Sequence, residues 1–175
     1  MVVFLGMDAR VKLPNYFTDH LTIMYGVDES RAMAYQVMEF VSGQSLARLL
    51  ADGEITWTTA EWDKIEAILL RLQTGEPLQY VLGQTEFMDL EIHVEQGVLI
   101  PRGETEELVL WAAEIIQEKI LDGRKTESLK VIDLACGSGI IGIALAKMFP
   151  GLQVWSADLY ETPRRLTAAN ALLNG

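Results

Sequence analysis

Apolar residues recur at helical spacing along the first half of the chain, and capping residues stand where such segments should begin. The pattern runs from Pro14 to about residue 75 and predicts three or four short helices. In one segment, Asp28 is a candidate N-cap and Gly43 a candidate C-terminal stop. The apolar stripe predicted between them consists of Met33, Val37, Phe40 and Val41.

A second clear helical segment is predicted from Thr58 onwards. Thr58 and Glu61 have the spacing of a capping box, in which each side chain accepts a hydrogen bond from the backbone N–H of the other residue. The segment should end at Gly75, where Gly-Glu-Pro interrupts the helical period. Its predicted apolar stripe consists of Trp62, Ile65, Leu69 and Leu72.

The apolar period changes from helical spacing to alternation after Pro77. Alternating positions over 79–86 and 90–100 predict a β-hairpin with Met88-Asp89 as its turn. An amphipathic helix is then predicted from Glu104, since acidic residues in a first turn suit the positive end of a helix. Its predicted buried face consists of Leu108, Trp111, Ala112, Ile115 and Ile116.

The segment from Leu129 onwards has the pattern strand, glycine-rich turn, helix and strand. A buried-strand pattern over 129–135 leads into the turn, and a second strand pattern over 152–157 ends in Asp158. Glycines let a backbone approach a ligand closely, and a carboxylate after the second strand can accept hydrogen bonds from both hydroxyls of a ribose. The segment therefore predicts a half-site for an adenosine-containing cofactor.

Composition limits the partners that the protein can have. The formal net charge of −11 disfavours a nucleic-acid partner, and the apolar half of the 175 residues contains no run long enough to span a membrane. The single cysteine, Cys136, excludes an internal disulfide, and His20 and His93 follow no metal-ligand pattern. A nucleophilic role for Cys136 is disfavoured because no histidine lies near it in sequence. A cytoplasmic location is the default expectation.

The nature of the cofactor depends on the residues around the turn. Gly137-x-Gly139-x-x-Gly142 by itself matches the dinucleotide fingerprint. Asp133-x-Ala135-x-Gly137-x-Gly139 resembles motif I of class I S-adenosylmethionine-dependent methyltransferases, with alanine replacing the first glycine of Asp/Glu-x-Gly-x-Gly-x-Gly. This resemblance implies S-adenosyl-L-methionine as cofactor, Asp133 near its methionine end and Asp158 on its ribose. The implied binding loop consists of Ala135, Cys136, Gly137, Ser138 and Gly139.

Residues upstream of the turn narrow the resemblance to the HemK/PrmC family. The matching stretches are Gly-Glu-Pro-Leu-Gln-Tyr at 75–80, Gly83, Phe87 and the run 97–109, in which Gly103 replaces the second proline of the family's Pro-Arg-Pro-Glu-Thr-Glu. The resemblance implies an α/β protein with three parts. They are a small α-helical domain over residues 1–76, a β-hairpin linker over 77–101 and the N-terminal part of a Rossmann-like class I methyltransferase domain over 102–175.

The family's activity is methylation of the side-chain amide N5 of glutamine in the Gly-Gly-Gln motif of peptide-chain release factors. The resemblance therefore implies release factors as partners, a helical domain that docks them, and Leu99 against the cofactor, although Leu99 equally suits hairpin core. The family's Asn-Pro-Pro-Tyr motif does not occur in the sequence, so no catalytic residue is assigned. We expect a fragment of a longer protein, inactive by itself, with sheet faces left exposed.

Three other function classes remain open from the sequence. A nucleic-acid adenine N6-methyltransferase would share the cofactor half-site, but the acidic composition counts against it. An NAD-dependent oxidoreductase would fit the dinucleotide fingerprint. A non-catalytic module that binds a release factor would need neither cofactor. These classes differ in which of S-adenosylmethionine, NAD, nucleic acid and release factor the protein binds.

Overall fold

The computed structural model describes residues 37, 40–42 and 58–175 of the chain. The chain divides into two compact units, with the boundary between Leu82 and Gly83. The predictions about Asp28, Met33, Gly43 and His20 lie outside the described residues. The α/β class is confirmed for the described part, in which parallel strands alternate with helices.

The apolar stripe predicted before residue 43 can be compared with the structure at three positions. Val37 and Val41 are buried, as predicted, and they lie one helical turn apart. Phe40 is 42% exposed, so the prediction that it belongs to the buried stripe is wrong. The face buried by Val37 and Val41 does not extend to the neighbouring position.

Helix α1 spans Thr59–Gln73 and begins with the predicted capping box. The Thr58 hydroxyl accepts a hydrogen bond from the Glu61 backbone N–H at 3.3 Å, and the Glu61 carboxylate accepts one from the Thr58 N–H at 2.7 Å. Ile65, Leu69 and Leu72 are buried, which confirms their stripe. The side chain of Trp62 lies outside the described part.

A short helix, α2, spans Leu78–Leu82, where alternation had predicted the beginning of a strand. That prediction is wrong over 79–82, because Leu78 and Val81 bury themselves at the three-residue spacing of one helix face. The guanidinium of Arg71 stabilises the C-terminal end of α2. It donates hydrogen bonds to the carbonyls of Val81 at 2.9 Å and Tyr80 at 3.1 Å, which are among the last carbonyls of the helix.

The hairpin consists of antiparallel strands β1 (Gln84–Phe87) and β2 (Leu90–His93). Its turn is the predicted Met88-Asp89, with φ angles of 49° and 61°. Positive φ at both central residues matches the right-handed twist of the strands. The predicted extension of β2 to residue 100 is wrong, because Gly97 has a φ of 89° and the chain turns there instead of continuing as a strand.

Helix α3 spans Gly103–Leu121, one residue longer at its start than predicted. Its buried residues are Val109, Ala113 and Ile116, which lie on one face and pack toward α4 (Ile140–Met148). Of the predicted face, Ile116 is confirmed as buried and Ala112 is half-buried. The residues predicted to be buried that are instead exposed are Leu108, Trp111 and Ile115, Trp111 to 62%.

The C-terminal elements follow the predicted order. After a 3₁₀ turn at Thr126–Ser128, they are β3 (Lys130–Leu134), α4, β4 (Gln153–Ala157) and α5 (Glu161–Asn174). Strands β3 and β4 pair in parallel, with Leu134 opposite Ala157 at the carboxyl ends. As predicted for two parallel strands, the sheet keeps exposed apolar side chains, at Ile132, Leu134 and Trp155.

Among the helices of the described part, none combines the length and the apolar character that a membrane-spanning segment needs.

The hairpin turn allows a matched test of its backbone conformation. Asp89→Gly should raise the free energy of unfolding by about 0.5 kcal/mol, because glycine adopts a φ of 61° without strain. Asp122→Gly should lower it by a similar amount, since Asp122 is also exposed but has a φ of −71°. Urea denaturation measures both changes. Shifts of the unfolding midpoint in the same direction for the two variants would contradict the turn conformation.

Candidate cofactor site

The predicted binding loop, residues 135–139, connects the carboxyl end of β3 to α4 and turns sharply. Ala135, Gly137 and Gly139 have φ angles of 58°, 58° and 84°. The Cys136 N–H donates to the Ala157 carbonyl at 3.2 Å, and the Gly139 N–H donates back to the Cys136 carbonyl at 2.8 Å. The loop is therefore a compact turn tied to the end of β4.

Glycine is favoured at each of three positions in the loop and the first turn of α4, but for different structural reasons. A Cβ at Gly139 would lie 2.6 Å from Cγ2 of Thr167, so no larger residue fits. A Cβ at Gly142 would lie 2.8 Å from Oγ of Ser156, so this glycine lets α4 approach β4. At Gly137 the nearest atom would be Cγ1 of Val98 at 3.7 Å. A Cβ at Gly137 would therefore meet only an ordinary van der Waals contact, so this glycine is favoured by its φ of 58° and not by crowding.

Asp133 lies buried at the end of β3 and binds the first turn of α4. Its Oδ2 accepts a hydrogen bond from the Gly142 N–H at 3.2 Å, which supplies the cap that the helix lacks at Gly139. Burial raises the pKa of the Asp133 carboxyl, the Gly142 N–H opposes this, and the charge of Asp158 raises the pKa further. A structural role for Asp133 is therefore present in the fold.

Asp158 lies directly after β4, and its pKa shifts in the direction opposite to that of Asp133. Its Oδ1 accepts from the Tyr160 N–H at 3.1 Å and its Oδ2 from the Gly137 N–H at 3.2 Å. These two hydrogen bonds, led by the one from Tyr160, lower the pKa of Asp158. The carboxylate is half-buried, so it combines a fixed orientation with access from solvent. An ionised carboxylate held in this way is a strong acceptor for ligand hydroxyl groups.

The other predicted site residues differ in how their side chains are placed. The Cys136 and Ser138 side chains are buried, so the loop can offer a ligand only backbone atoms at these positions. The thiol of Cys136 lies 3.3 Å from the hydroxyl of Thr167, in an environment unlike that of a reactive cysteine. Leu99 is 72% exposed, so the interpretation of Leu99 as hairpin core is wrong. Its neighbour Val98 is the buried residue that lies against Gly137.

Sequence reasoning assigned no role to two residues of α5 that contact the loop. The hydroxyl of Thr167 donates to the Gly137 carbonyl at 3.1 Å, and Nδ2 of Asn170 donates to the Ser138 carbonyl at 2.9 Å. Both side chains are buried. The available signal was their position on the apolar face of α5, where a polar residue needs a hydrogen-bonding partner. The buried residues of that face are Pro163, Leu166, Thr167 and Asn170.

No group of three or more histidine, cysteine or acidic side chains that could hold a metal ion occurs within residues 37, 40–42 and 58–175. His93 lies 3.8 Å from a carboxylate oxygen of Glu91, which is a contact within strand β2. The groups that the loop and the strand ends bring together include backbone amides and the carboxylates of Asp133 and Asp158.

Known family models match both halves of the chain. A model described as the PrmC N-terminal domain matches residues 20–83, and a model described as lysine methyltransferase matches residues 102–174. The second match covers the parallel strands, the loop and both carboxylates. The second compact unit, residues 83–175, is called the α/β unit below. It therefore contains a methyltransferase domain of the kind that the motif around Asp133 resembles.

Curated relatives carry the name release factor glutamine methyltransferase. The relative from Flavobacterium psychrophilum is 33% identical over 158 residues, which cover 90% of this chain and 54% of the relative. The relative from Lactococcus lactis is 39% identical over 117 residues, 67% of this chain and 40% of the relative. The relative from Streptococcus pneumoniae is 36% identical over 143 residues, 82% of this chain and 48% of the relative.

These similarities extend over both units and agree in name. The chain belongs to the HemK/PrmC family, as its motifs between residues 75 and 174 predicted. It spans about half the length of the curated relatives that it matches.

The backbone of the loop allows a paired test. Ala135→Gly should raise the free energy of unfolding by about 1 kcal/mol, because it relieves an alanine with a φ of 58°. Gly139→Ala should lower it by more than about 2 kcal/mol, because its Cβ would collide with Thr167 and adopt a φ of 84°. Urea denaturation followed by circular dichroism measures both. An unchanged midpoint for Gly139→Ala would contradict the loop geometry.

The two carboxylates should have opposite effects on the pH dependence of stability. The folded state raises the pKa of Asp133, so ionisation of Asp133 removes stability as pH rises through that raised pKa. The folded state lowers the pKa of Asp158, so its contribution is present at neutral pH and is lost as pH falls through that lowered pKa. Asp133→Asn should therefore stabilise the protein at neutral pH, and Asp158→Asn should destabilise it.

Both differences from the wild type should shrink on acidification. Urea denaturation of the wild type and both variants between about pH 3 and about pH 8 gives the comparison. The asparagine at 133 can still accept from Gly142, so the comparison isolates the charge. A loss of stability at neutral pH in Asp133→Asn would contradict the direction of the pKa shift.

Proposed function

We propose that the α/β unit binds S-adenosyl-L-methionine at the carboxyl ends of β3 and β4. The observation that supports this most directly is the half-buried Asp158, whose lowered pKa keeps it ionised and which accepts a hydrogen bond from the N–H of Gly137 in the middle of the loop. A carboxylate in this position can accept hydrogen bonds from both ribose hydroxyls. The proposed contacts are Leu99, Asp133, Ala135, Cys136, Gly137, Ser138, Gly139 and Asp158.

The residues present fit such a cofactor. Gly137 has no side chain, so the loop backbone can lie close to a ligand at this position. Leu99 offers a largely exposed apolar side chain and follows Val98, whose Cγ1 would lie 3.7 Å from a Cβ at Gly137. We propose that Leu99 covers an apolar part of the cofactor. Asp133, which is buried and bound to Gly142, would act mainly by holding the start of α4.

The proposed reaction of the whole protein is methyl transfer to the side-chain amide N5 of the glutamine in the Gly-Gly-Gln motif of peptide-chain release factors. The name that the relatives share and the PrmC N-terminal match support this acceptor. S-adenosylmethionine held by residues 135–139 and Asp158 would supply the methyl group of its sulfonium to the amide nitrogen. The carbon–sulfur bond would break as the carbon–nitrogen bond formed, and the nitrogen would lose a proton. The protein must orient the amide and exclude water, since a neutral amide is a weak nucleophile.

The domain roles follow from this proposal. Residues 1–76 would dock the release factor, residues 77–101 would form the linking hairpin, and residues 102–175 would carry the cofactor. The Asn-Pro-Pro-Tyr motif does not occur in the sequence, so no residue of this chain is proposed to hold the substrate amide. We also propose a cytoplasmic location, where release factors act and where a lone cysteine stays reduced.

The lysine methyltransferase match raises a second acceptor. It covers residues 102–174 only, the region that would hold the cofactor whichever acceptor receives the methyl group. The glutamine acceptor has the additional support of the match over residues 20–83 and of the relatives' name. We therefore propose glutamine as the acceptor.

Titration calorimetry with S-adenosylhomocysteine and NAD tests the cofactor. The chain should bind S-adenosylhomocysteine and not NAD, and Asp158→Asn should weaken binding about tenfold or more, because a charged acceptor for two hydroxyls is lost. Glu161→Gln is the matched control, since Glu161 is an exposed acid at the first position of α5. It should leave the affinity unchanged.

Either of two results would contradict the cofactor proposal. One is preference for NAD, which favours an oxidoreductase, and the other is equal weakening by Asp158→Asn and Glu161→Gln.

A parallel titration with a release factor tests the partner. Saturable binding supports the release-factor proposal, whereas binding of double-stranded DNA or RNA with a steep salt dependence favours the nucleic-acid alternative.

A further inference from the structure

The loop between β3 and α4 needs hydrogen-bonding partners that its own turn does not supply. It leaves the strand ladder after Leu134, and its left-handed residues direct successive peptide groups to different sides. The carbonyls of Gly137 and Ser138 both accept from α5, through Thr167 and Asn170. These two residues are three positions apart, so they lie on the same helix face. One face of α5 therefore holds two successive peptide groups of the loop.

Asn170 also joins the loop to the hairpin. Its Oδ1 accepts from the His93 N–H at 2.8 Å, and its Nδ2 donates to the His93 carbonyl at 3.1 Å as well as to Ser138. The side chain is 0% exposed, and both of its amide hydrogens and its oxygen are used. Asn170 thus pairs with the last residue of β2 as a neighbouring strand would.

The contact with His93 affects the segment that follows β2. Five residues after His93, Val98 packs its Cγ1 toward Gly137, and Leu99 comes next. The buried side-chain amide of Asn170 therefore holds both the backbone of the loop and the residue from which the Leu99 segment begins. A displacement of that amide would move the two sides of the proposed site relative to each other.

Thr167 acts on the other side of the same loop. Its single hydroxyl hydrogen donates to the Gly137 carbonyl, and so the nearby Cys136 thiol donates to the Thr167 oxygen. Gly137 is thereby held at both ends, since its N–H donates to Asp158. The orientation of this peptide group determines how Asp158 and the loop present themselves to a ligand.

We propose that Asn170 and Thr167 are positioning residues for the cofactor: through the carbonyls of Ser138 and Gly137 they hold the loop against the segment that carries Leu99. The proposal rests on the proposed binding of an adenosine-containing cofactor at this loop. Neither residue needs to touch that cofactor. Their effect acts through the backbone of the loop and through the position of His93.

Variants of Thr167 separate hydrogen bonding from packing. Thr167→Val keeps the volume that packs against Gly139 but removes the hydroxyl, whereas Thr167→Ser keeps the hydroxyl. Thr167→Val should weaken binding of S-adenosylhomocysteine about tenfold, and Thr167→Ser should retain an affinity close to that of the wild type. Titration calorimetry on the full chain measures both. Equal affinities for the valine and serine variants would overturn the role of Thr167.

Asn170 has a matched control one turn further along α5. Asn174 donates to the Glu91 carbonyl of β2 at 2.8 Å, and so it contacts the hairpin without contacting the loop. Asn170→Ser and Asn174→Ser should both reduce thermal stability, but only Asn170→Ser should weaken S-adenosylhomocysteine binding about tenfold. Equal effects of both variants on affinity would mean that Asn170 only docks the helix, and would overturn its positioning role.

A measurement without any ligand distinguishes this proposal from the proposed function. Amide hydrogen exchange of Gly137 and Gly139 should become faster in Thr167→Val and Asn170→Ser, and remain unchanged in Thr167→Ser and Asn174→Ser. If the wild type binds no adenosine compound, the cofactor proposal fails while faster exchange still supports the hold on the loop. Unchanged exchange in all four variants would overturn the positioning proposal itself.

Discussion

The left-handed turn between β3 and α4 is the constraint on which the other contacts of the α/β unit depend. A chain that passes from a strand into a helix within five residues leaves the sheet ladder, and its peptide groups must then find partners elsewhere. Those partners come from residues that follow β4, namely Asp158, Thr167 and Asn170. Asn170 also connects the hairpin to this loop, because its side chain accepts a hydrogen bond from the His93 N–H. Segments that are distant in sequence therefore converge on one short turn.

Features whose cause is local could be predicted from the sequence. The capping box at Thr58 and Glu61 and the turn at Met88-Asp89 need only their immediate neighbours. The strand, loop, helix and strand pattern after residue 129 is also local, since the glycines, the apolar runs and Asp158 lie in one continuous stretch. The same stretch carried the family resemblance, so the place of the candidate site was predictable together with its fold.

Features that depend on distant partners were not predictable in the same way. Apolar residues surround most of α3, so periodicity allowed two faces, and packing with α4 buries the one that contains Val109 and Ala113. The short helix α2 depends on hydrogen bonds from Arg71, on the preceding helix. The role of Asn170 depends on His93, which lies 77 positions earlier in the chain. A single polar residue on an apolar helix face indicates that a hydrogen-bonding partner exists but does not identify that partner.

The burial of Cys136 has a practical consequence for following this loop in solution. Cys136 is the only thiol of the chain, and it lies between the left-handed Ala135 and Gly137, with its sulfur covered beside α5. A thiol reagent can react with it only when the loop opens or the unit unfolds. The rate of chemical labelling therefore reports the opening equilibrium of the turn without any introduced probe. A bound molecule that bridges the loop and Asp158 would slow that rate in proportion to its occupancy.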